Sequence, residues 1–210
     1  MNFLYILLLL ISHGLIGNKE LKKQTGSLHK IKLLKAGDIV FQSTNSRQCD
    51  AIKLATLSNF SHCGIIETVN DEVYVIEAVQ PVRIVRFDDW IKQNDSSYFE
   101  VKRLKDSLGI NDNQFREITA WAKSQIGKNY DLKFLWSDDQ IYCSELVFKA
   151  YSKGGNIALC IPKPLKSYSL NHPQVQQILK ERYGSQIPWE ETMVSPEDIY
   201  KSPLLYSPLR

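Results

Sequence analysis

The stretch DDQIYCSELVFKAY (138–151) decides how the rest of the chain is read. Leu146, Val147, Ala150 and Tyr151 fall at helical spacing, and Gly154-Gly155 ends the pattern. Cys143 therefore stands at the start of a helix. Aligned peptide dipoles at a helix N-terminus favour negative charge, so a thiol placed there ionises more readily than one that merely fills a core. The same cysteine, taken alone, also reads as a small buried hydrophobe. A nucleophilic role requires a base to take its proton and a third group to orient that base.

Four histidines are available as the base. His13 lies in the apolar N-terminal run, His29 in a basic segment, and His172 just before a late helix that it could cap. His62 opens a strand, SHCGIIE (61–67). Alternation puts His62, Gly64 and Ile66 on one face, and Ser61, Cys63 and Ile65 on the other. Gly64 leaves space beside the imidazole, and Cys63 points away from it. If Asn70-Asp71 forms a two-residue hairpin loop, Val69 faces Glu72 and Gly64 faces Glu77. His62 is then the diagonal neighbour of Glu77 on the same face, at roughly 7–8 Å between positions. A carboxylate there would fix the imidazole's tautomer and favour its protonated form, the orienting role of a third catalytic group. Asp138 and Asp139 read as loop residues; close to the thiol, they would oppose its ionisation.

The bulk properties allow one domain. The chain has 210 residues, 43% hydrophobic and 23% charged, with a net charge of +3. That charge, without a basic stripe interleaved with aromatics, gives no reason to expect a nucleic-acid partner. The four cysteines (Cys49, Cys63, Cys143, Cys160) include no CxxC pair, so neither a disulfide scaffold nor a zinc site of familiar spacing is expected. Thiol chemistry needs no metal or organic cofactor, and no phosphate-cradling glycine loop is present. The uncharged run MNFLYILLLLISHGLIG (1–17) has the length of a signal-peptide core and is short for a membrane span. Residues 1–18 are read as a signal peptide, with an uncleaved N-terminal anchor as the alternative because the lysines follow the apolar run. Residues 19–33 form a basic linker and 34–210 the folded domain. The expected location is exported, periplasmic or at the cell envelope.

Along the domain, strands are expected at 38–42, 61–67, 73–78, 82–86 and near 98–104. Helices are expected after Asn45 or Ser46, over DDWIKQ (88–93), after Asn111 or Asn113 up to Gly127, from Cys143, over 173–183, and after Ser195. In the helix that ends at Gly127, Phe115, Ile118, Ala122 and Ile126 should share one stripe. The remainder reads as loop. Clustered antiparallel strands flanked by helices define an α+β domain.

Several motifs then fall into one order: LKAGDIVFQ (34–42), FSHCGIIE (60–67), YVIEAV (74–79), GKNYDLKF (127–134), SDDQIYCSELVFKAY (137–151) and VSPEDIY (194–200). Together they resemble the YiiX-like branch of the NlpC superfamily of papain-like cysteine hydrolases, from about Leu34 to Tyr200. The resemblance implies a circularly permuted papain-like fold, in which the histidine strand precedes the third residue and the cysteine helix comes last. It implies Cys143 as nucleophile, His62 as general base and acid, and Glu77 as the acid that orients His62. It also implies that Tyr142 and Tyr130 line the site and that Asp38 and Gln42 lie near it. The implied reaction is cleavage of an amide through an acyl-enzyme thioester, on a cell-wall peptide or on an acyl or lipid-linked amide. A lipid-linked substrate would bring contact with a membrane surface. A lipid acyltransferase or phospholipase with the same machinery, and a non-catalytic binding relative, are the alternatives.

Overall fold

The computed structural model describes residues 31–94 and 98–209, and Lys35–Arg210 forms a compact unit of its own. The expected signal segment, 1–18, and most of the expected linker lie outside the described residues. The sheet and the helices around it belong to this unit.

Six strands form one antiparallel sheet in the order β4-β3-β2-β1-β5-β8. They are β1 (Ile39–Gln42), β2 (His62–Val69), β3 (Glu72–Glu77), β4 (Arg83–Arg86), β5 (Glu100–Leu104) and β8 (Leu205–Tyr206). The helices are α1 (Arg47–Thr56), α2 (Phe87–Ile91), α3 (Asp112–Ser124), α4 (Cys143–Lys149), α5 (Pro173–Tyr183) and α6 (Pro196–Tyr200). A π-helical turn, Ala150–Gly154, prolongs α4. This is the mixed, antiparallel α+β architecture expected.

The β2–β3 register is the one the hairpin argument requires: Val69 faces Glu72 and Ile65 faces Ile76. Asn70 and Asp71 both have positive φ, 50° and 63°, which a two-residue turn matched to the twist of the strands demands. Three helix caps also follow local chemistry. The side chains of Ser46, Asn111 and Ser195 accept hydrogen bonds from the backbone N–H groups of Cys49, Gln114 and Asp198.

Three expectations are corrected. Strands β6 (Lys163–Pro164) and β7 (Thr192–Met193) pair with each other, and β8 pairs with β5, in segments read as loop. Each is two residues long, too short to show a period. Ile126 does not continue the α3 stripe, because the helix stops at Ser124 and Ile126 is exposed. Gly64 does not leave empty room beside His62. A Cβ there would sit 2.5 Å from Val75 Cγ1 and 2.9 Å from the Ile76 carbonyl oxygen, so the neighbouring strand already occupies that space. Gly64→Val should therefore force β3 away from β2 and destabilise the fold by about 1–3 kcal/mol, measurable as a shift of the urea midpoint.

One face of the sheet is covered by α4, α3 and the π turn. Ile39, Phe41, Cys63, Ile65 and Ile76 meet Ile118, Leu146, Val147 and Tyr151 in one buried cluster. Every residue of α4 is buried. Leu146 and Val147 have no exposed surface, each contributing about 1.5–3 kcal/mol by burial. The Tyr151 hydroxyl donates to the Gly37 carbonyl, which ties the end of this helical segment to the start of β1. Gly37 has φ of 83° and lies under the Phe115 ring, so both the turn and the close approach require glycine.

Candidate active site

The helix start that carries Cys143 is fixed from two sides. Val194, just before α6, donates its N–H to the Tyr142 hydroxyl at 3.2 Å, and its carbonyl accepts from the Ser144 hydroxyl at 2.8 Å. On the other side, Tyr130 and Ile141 form a parallel bridge, with the Ile141 N–H on the Asn129 carbonyl at 3.1 Å. Gln80, which follows β3, accepts from the Tyr130 N–H at 2.7 Å and donates to Asn129 at 2.8 Å. Further along α4, Glu145 is fully buried and pairs with Lys149 at 2.8 Å. Burial pushes the Glu145 carboxyl up to about 7 despite this partner. Lys149 also binds Asp138 at 2.8 Å and the Ser137 carbonyl at 2.7 Å, which anchors the approaching loop to the helix. Asp138 is thereby committed to Lys149.

The first residue of β2 and the last of β3 bring His62 to Glu77. His62 Nε2 donates to Glu77 Oε2 at 2.6 Å, which leaves Nδ1 as the ring nitrogen free of the carboxylate, and the Cys143 sulfur is near enough to raise the imidazole's proton affinity. The structure thus joins sulfur, imidazole and carboxylate in one chain of contacts. Glu77 has no exposed surface and receives three further donors. They are Arg83 Nε at 2.9 Å and Gln93 Nε2 at 3.4 Å on Oε1, and the Trp90 indole N–H at 3.0 Å on Oε2. Arg83 is the direct cross-strand partner of Glu77 in the β3–β4 pair, and Trp90 and Gln93 come from α2 and its end. Sequence reasoning missed this outer layer. The β4 register and the DDWIKQ helix were the available signals.

The electrostatics follow from these contacts. Burial alone would keep His62 neutral, but hydrogen bonds to Cys143 and Glu77 outweigh it and raise the imidazole to about 10. Burial likewise opposes ionisation of Glu77, yet His62 and Arg83 hold its carboxyl down at about 2. Cys143 is held well below the ordinary thiol range, first by a hydrogen bond from the Cys63 side chain. Burial opposes this, while His62 and the Cys63 backbone N–H assist. The Cys63 thiol is pushed up by burial and by the adjacent Cys143 charge. These contacts favour a thiolate at Cys143 and an imidazolium at His62, and they keep the Cys63 thiol protonated. Cys63 does point away from His62, but that face is the one α4 covers, so Cys63 bears on the sulfur directly.

Tyr130 and Tyr142 line a groove that opens at Cys143, with a cavity volume of about 90 Å³. Burial and the nearby Cys143 raise both phenols, so they remain neutral hydroxyls. Asp38 and Gln42 do not line this cavity. Asp38 is held by a two-pronged ion pair with Arg103 at 2.6 and 2.7 Å. Gln42 is the cross-strand neighbour of His62, and its amide donates to the Trp90 carbonyl at 3.2 Å, behind the imidazole. Asp38 is committed to the sheet, and Gln42 holds the Trp90 carbonyl through its amide nitrogen while its Oε1 is buried without a hydrogen-bond partner among the described residues. Among the described residues no group of three or more His, Cys, Asp or Glu side chains is placed to hold a metal ion.

A histidine strand that precedes a cysteine helix, packed through a small antiparallel sheet, defines the permuted papain-like cysteine hydrolases. The profile of the family described as permuted papain-like amidase enzyme, YaeF/YiiX, C92 family, matches residues 33–207. The chain belongs to this family, and is a hydrolase of the cysteine amidase/peptidase type. It is 41% identical over 169 residues to the uncharacterized protein YiiX of Escherichia coli strain K12, an alignment spanning 80% of this chain and 83% of that one. The crystal structure described as metalloprotein YiiX from Escherichia coli O157:H7 matches with a TM-score of 0.79 at 40% identity. That match covers 82% of this chain and 95% of the other.

Proposed function

We propose that the protein cleaves an acyl or lipid-linked amide through an acyl-enzyme thioester on Cys143. The observation that carries this reading is the apolar lining of the cavity that opens at Cys143, beside the hydrogen-bonded His62 and Glu77. The Cys143 thiolate attacks the amide carbonyl carbon, and the oxyanion that forms is received by backbone N–H groups at the start of α4. The C–N bond breaks as the His62 imidazolium gives its proton to the departing amine. Water then attacks the thioester, His62 takes the water's proton, and the carboxylic acid leaves, regenerating the pair. Glu77 stays ionised throughout and holds the imidazole in place.

An apolar groove favours an alkyl chain over the polar peptide of a cell wall, because burial of each methylene is worth about 0.8 kcal/mol. The word metalloprotein attached to the Escherichia coli O157:H7 structure has no counterpart in the described donor set here, and no step is assigned to a metal.

The test combines labelling with mass. At pH 6 a thiol of ordinary pKa, about 8.5, is only about 0.3% ionised. Cys143 should nevertheless react with iodoacetamide at least about 100-fold faster than Cys160, which burial raises to about 12. Incubation with a long-chain N-acyl amide, quenched in acid, should add one acyl mass that prior labelling prevents. Equal labelling of the two thiols at pH 6, or labelling of Cys143 unaltered by His62→Ala, would refute the reading.

A further inference from the structure

The cavity beside Cys143 runs between α1 and α5. Its floor is carbon: Ala51, Leu165, Leu170, Val175 and Leu179 form a separate buried cluster there. Among the described lining residues, apart from the Cys143 thiolate, one carries a formal charge. It is Arg182, near the end of α5. Its guanidinium lies over the Phe134 ring, 4.5 Å from the centroid, and donates from Nη2 to Gln48 Oε1 at 2.6 Å. No carboxylate lies within ion-pair distance of it among the described residues. The two acids closest in influence are engaged elsewhere. Glu181 is held by Arg47 at 2.7 Å, and the Asp131 oxygens accept the N–H groups of Lys133 and Leu135 at 2.7 and 2.6 Å.

A guanidinium carries five donors, and burial without an anion is costly for it. Here it is partly buried, its protonation is disfavoured by that burial, and its hydrogen bond to Gln48 ends on a neutral amide. Gln48 in turn donates from Nε2 to the Tyr130 hydroxyl at 3.2 Å. Arg182, Gln48 and Tyr130 thus form a hydrogen-bonded string along the cavity wall, leading towards Cys143. The groove offers carbon for a chain, a cation for a head group, and the sulfur in the same cavity.

We propose that Arg182 is an anion subsite, so that the substrate is an amphiphile: a long-chain acyl amide whose amine carries a carboxylate or phosphate oxyanion. This rests on Cys143 being the nucleophile, and deepens that reading by naming the substrate class. The oxyanion takes the remaining donors of Arg182, and the alkyl chain lies over Ala51, Val175 and Leu179. Arg182 acts as a specificity residue.

Three probes test the proposal: N-dodecanoylglycine, N-dodecanoyl phosphoethanolamine and the neutral N-dodecanoylglycinamide. With the wild type, at least one anionic probe should exceed the neutral one in kcat/KM by roughly 10- to 100-fold, the worth of a charge-assisted hydrogen bond. Which of the two anions leads distinguishes carboxylate from phosphate. Arg182→Met should bring the ratio close to one, and Arg182→Lys should retain part of it. Calorimetric binding of the same probes to Cys143→Ala, which needs no turnover, should show the same order and weaken with added salt. Equal wild-type preference for charged and neutral probes, in turnover and in binding, overturns the subsite while leaving the reaction intact. So does a preference that survives Arg182→Met. Absence of turnover with the binding preference retained, and then lost in Arg182→Met, overturns the reaction and leaves the subsite standing.

Discussion

Cys143→Ser and His62→Ala are each expected to lower kcat/KM for amide hydrolysis on the order of 10⁴-fold, and the double variant is expected to lose no more than either alone. In the proposed reaction the two side chains act as one unit: the sulfur attacks and the imidazole delivers the proton to the leaving amine, so the loss of either stops the same step, even where Cys63 still favours the thiolate. A serine hydroxyl is far less acidic than a thiol, and with the sulfur gone His62 also loses the first of the contacts that raise it. Cys143→Ser keeps the volume of the helix start and should leave folding intact, whereas His62→Ala removes one partner of the buried pair with Glu77 and should cost about 3 kcal/mol of stability. The measurement is release of the free acid by chromatography, with thermal unfolding followed in parallel. Activity above about one tenth of wild type in the folded serine variant, or losses that multiply in the double variant, would remove Cys143 and His62 from the chemistry.

The second large effect belongs to Glu77. Glu77→Ala leaves the His62 and Trp90 donors without their acceptor inside the protein, at a cost of about 3 kcal/mol. Arg83, whose side chain is 46% exposed, returns to water and adds little. Glu77→Gln keeps the shape but places an N–H₂ group in a site surrounded by donors. Hydrolysis should fall roughly 10²- to 10⁴-fold, because the imidazole loses the carboxylate that aligns it and keeps only the Cys143 contact to favour its protonated form. The pH dependence gives a second readout. The Glu77 carboxyl ionises at about 2 in the fold and at the ordinary 4.5 in the open chain. A depressed carboxyl stabilises above its unfolded value, and that stabilisation, about 3 kcal/mol, is lost as pH falls from 4.5 through 2. Urea midpoints should therefore drop more steeply between pH 5 and 3 in the wild type than in Glu77→Gln. Parallel slopes would show that Glu77 is not the buried, ionised group described.

Much of this was legible in local rules. The Cys143 helix start, the Ser46, Asn111 and Ser195 caps and the Asn70-Asp71 turn are short-range chemistry, and one register then fixed His62 diagonal to Glu77. Other features depend on which helix covers which face, and alternation does not carry that information. It put Cys63 and Ile65 on the face opposite His62, yet α4 made that face the neighbour of Cys143. The cavity was illegible for the same reason, since α1 and α5 meet there from distant parts of the chain. Asp38 lies on the expected strand, but its partner Arg103 comes from β5, and nothing local in LKAGDIVFQ announces that pairing. β8 is fixed by its pairing with β5 rather than by any pattern of its own.

The four donors gathered on Glu77 have a consequence for catalytic rate. With its Nε2 held by a carboxylate that is itself held by Arg83, Gln93 and Trp90, the imidazole is tethered through a rigid partner. In the reaction proposed for it, most of the ring's orientational freedom was given up when the chain folded, so the arriving amide meets a base already aimed.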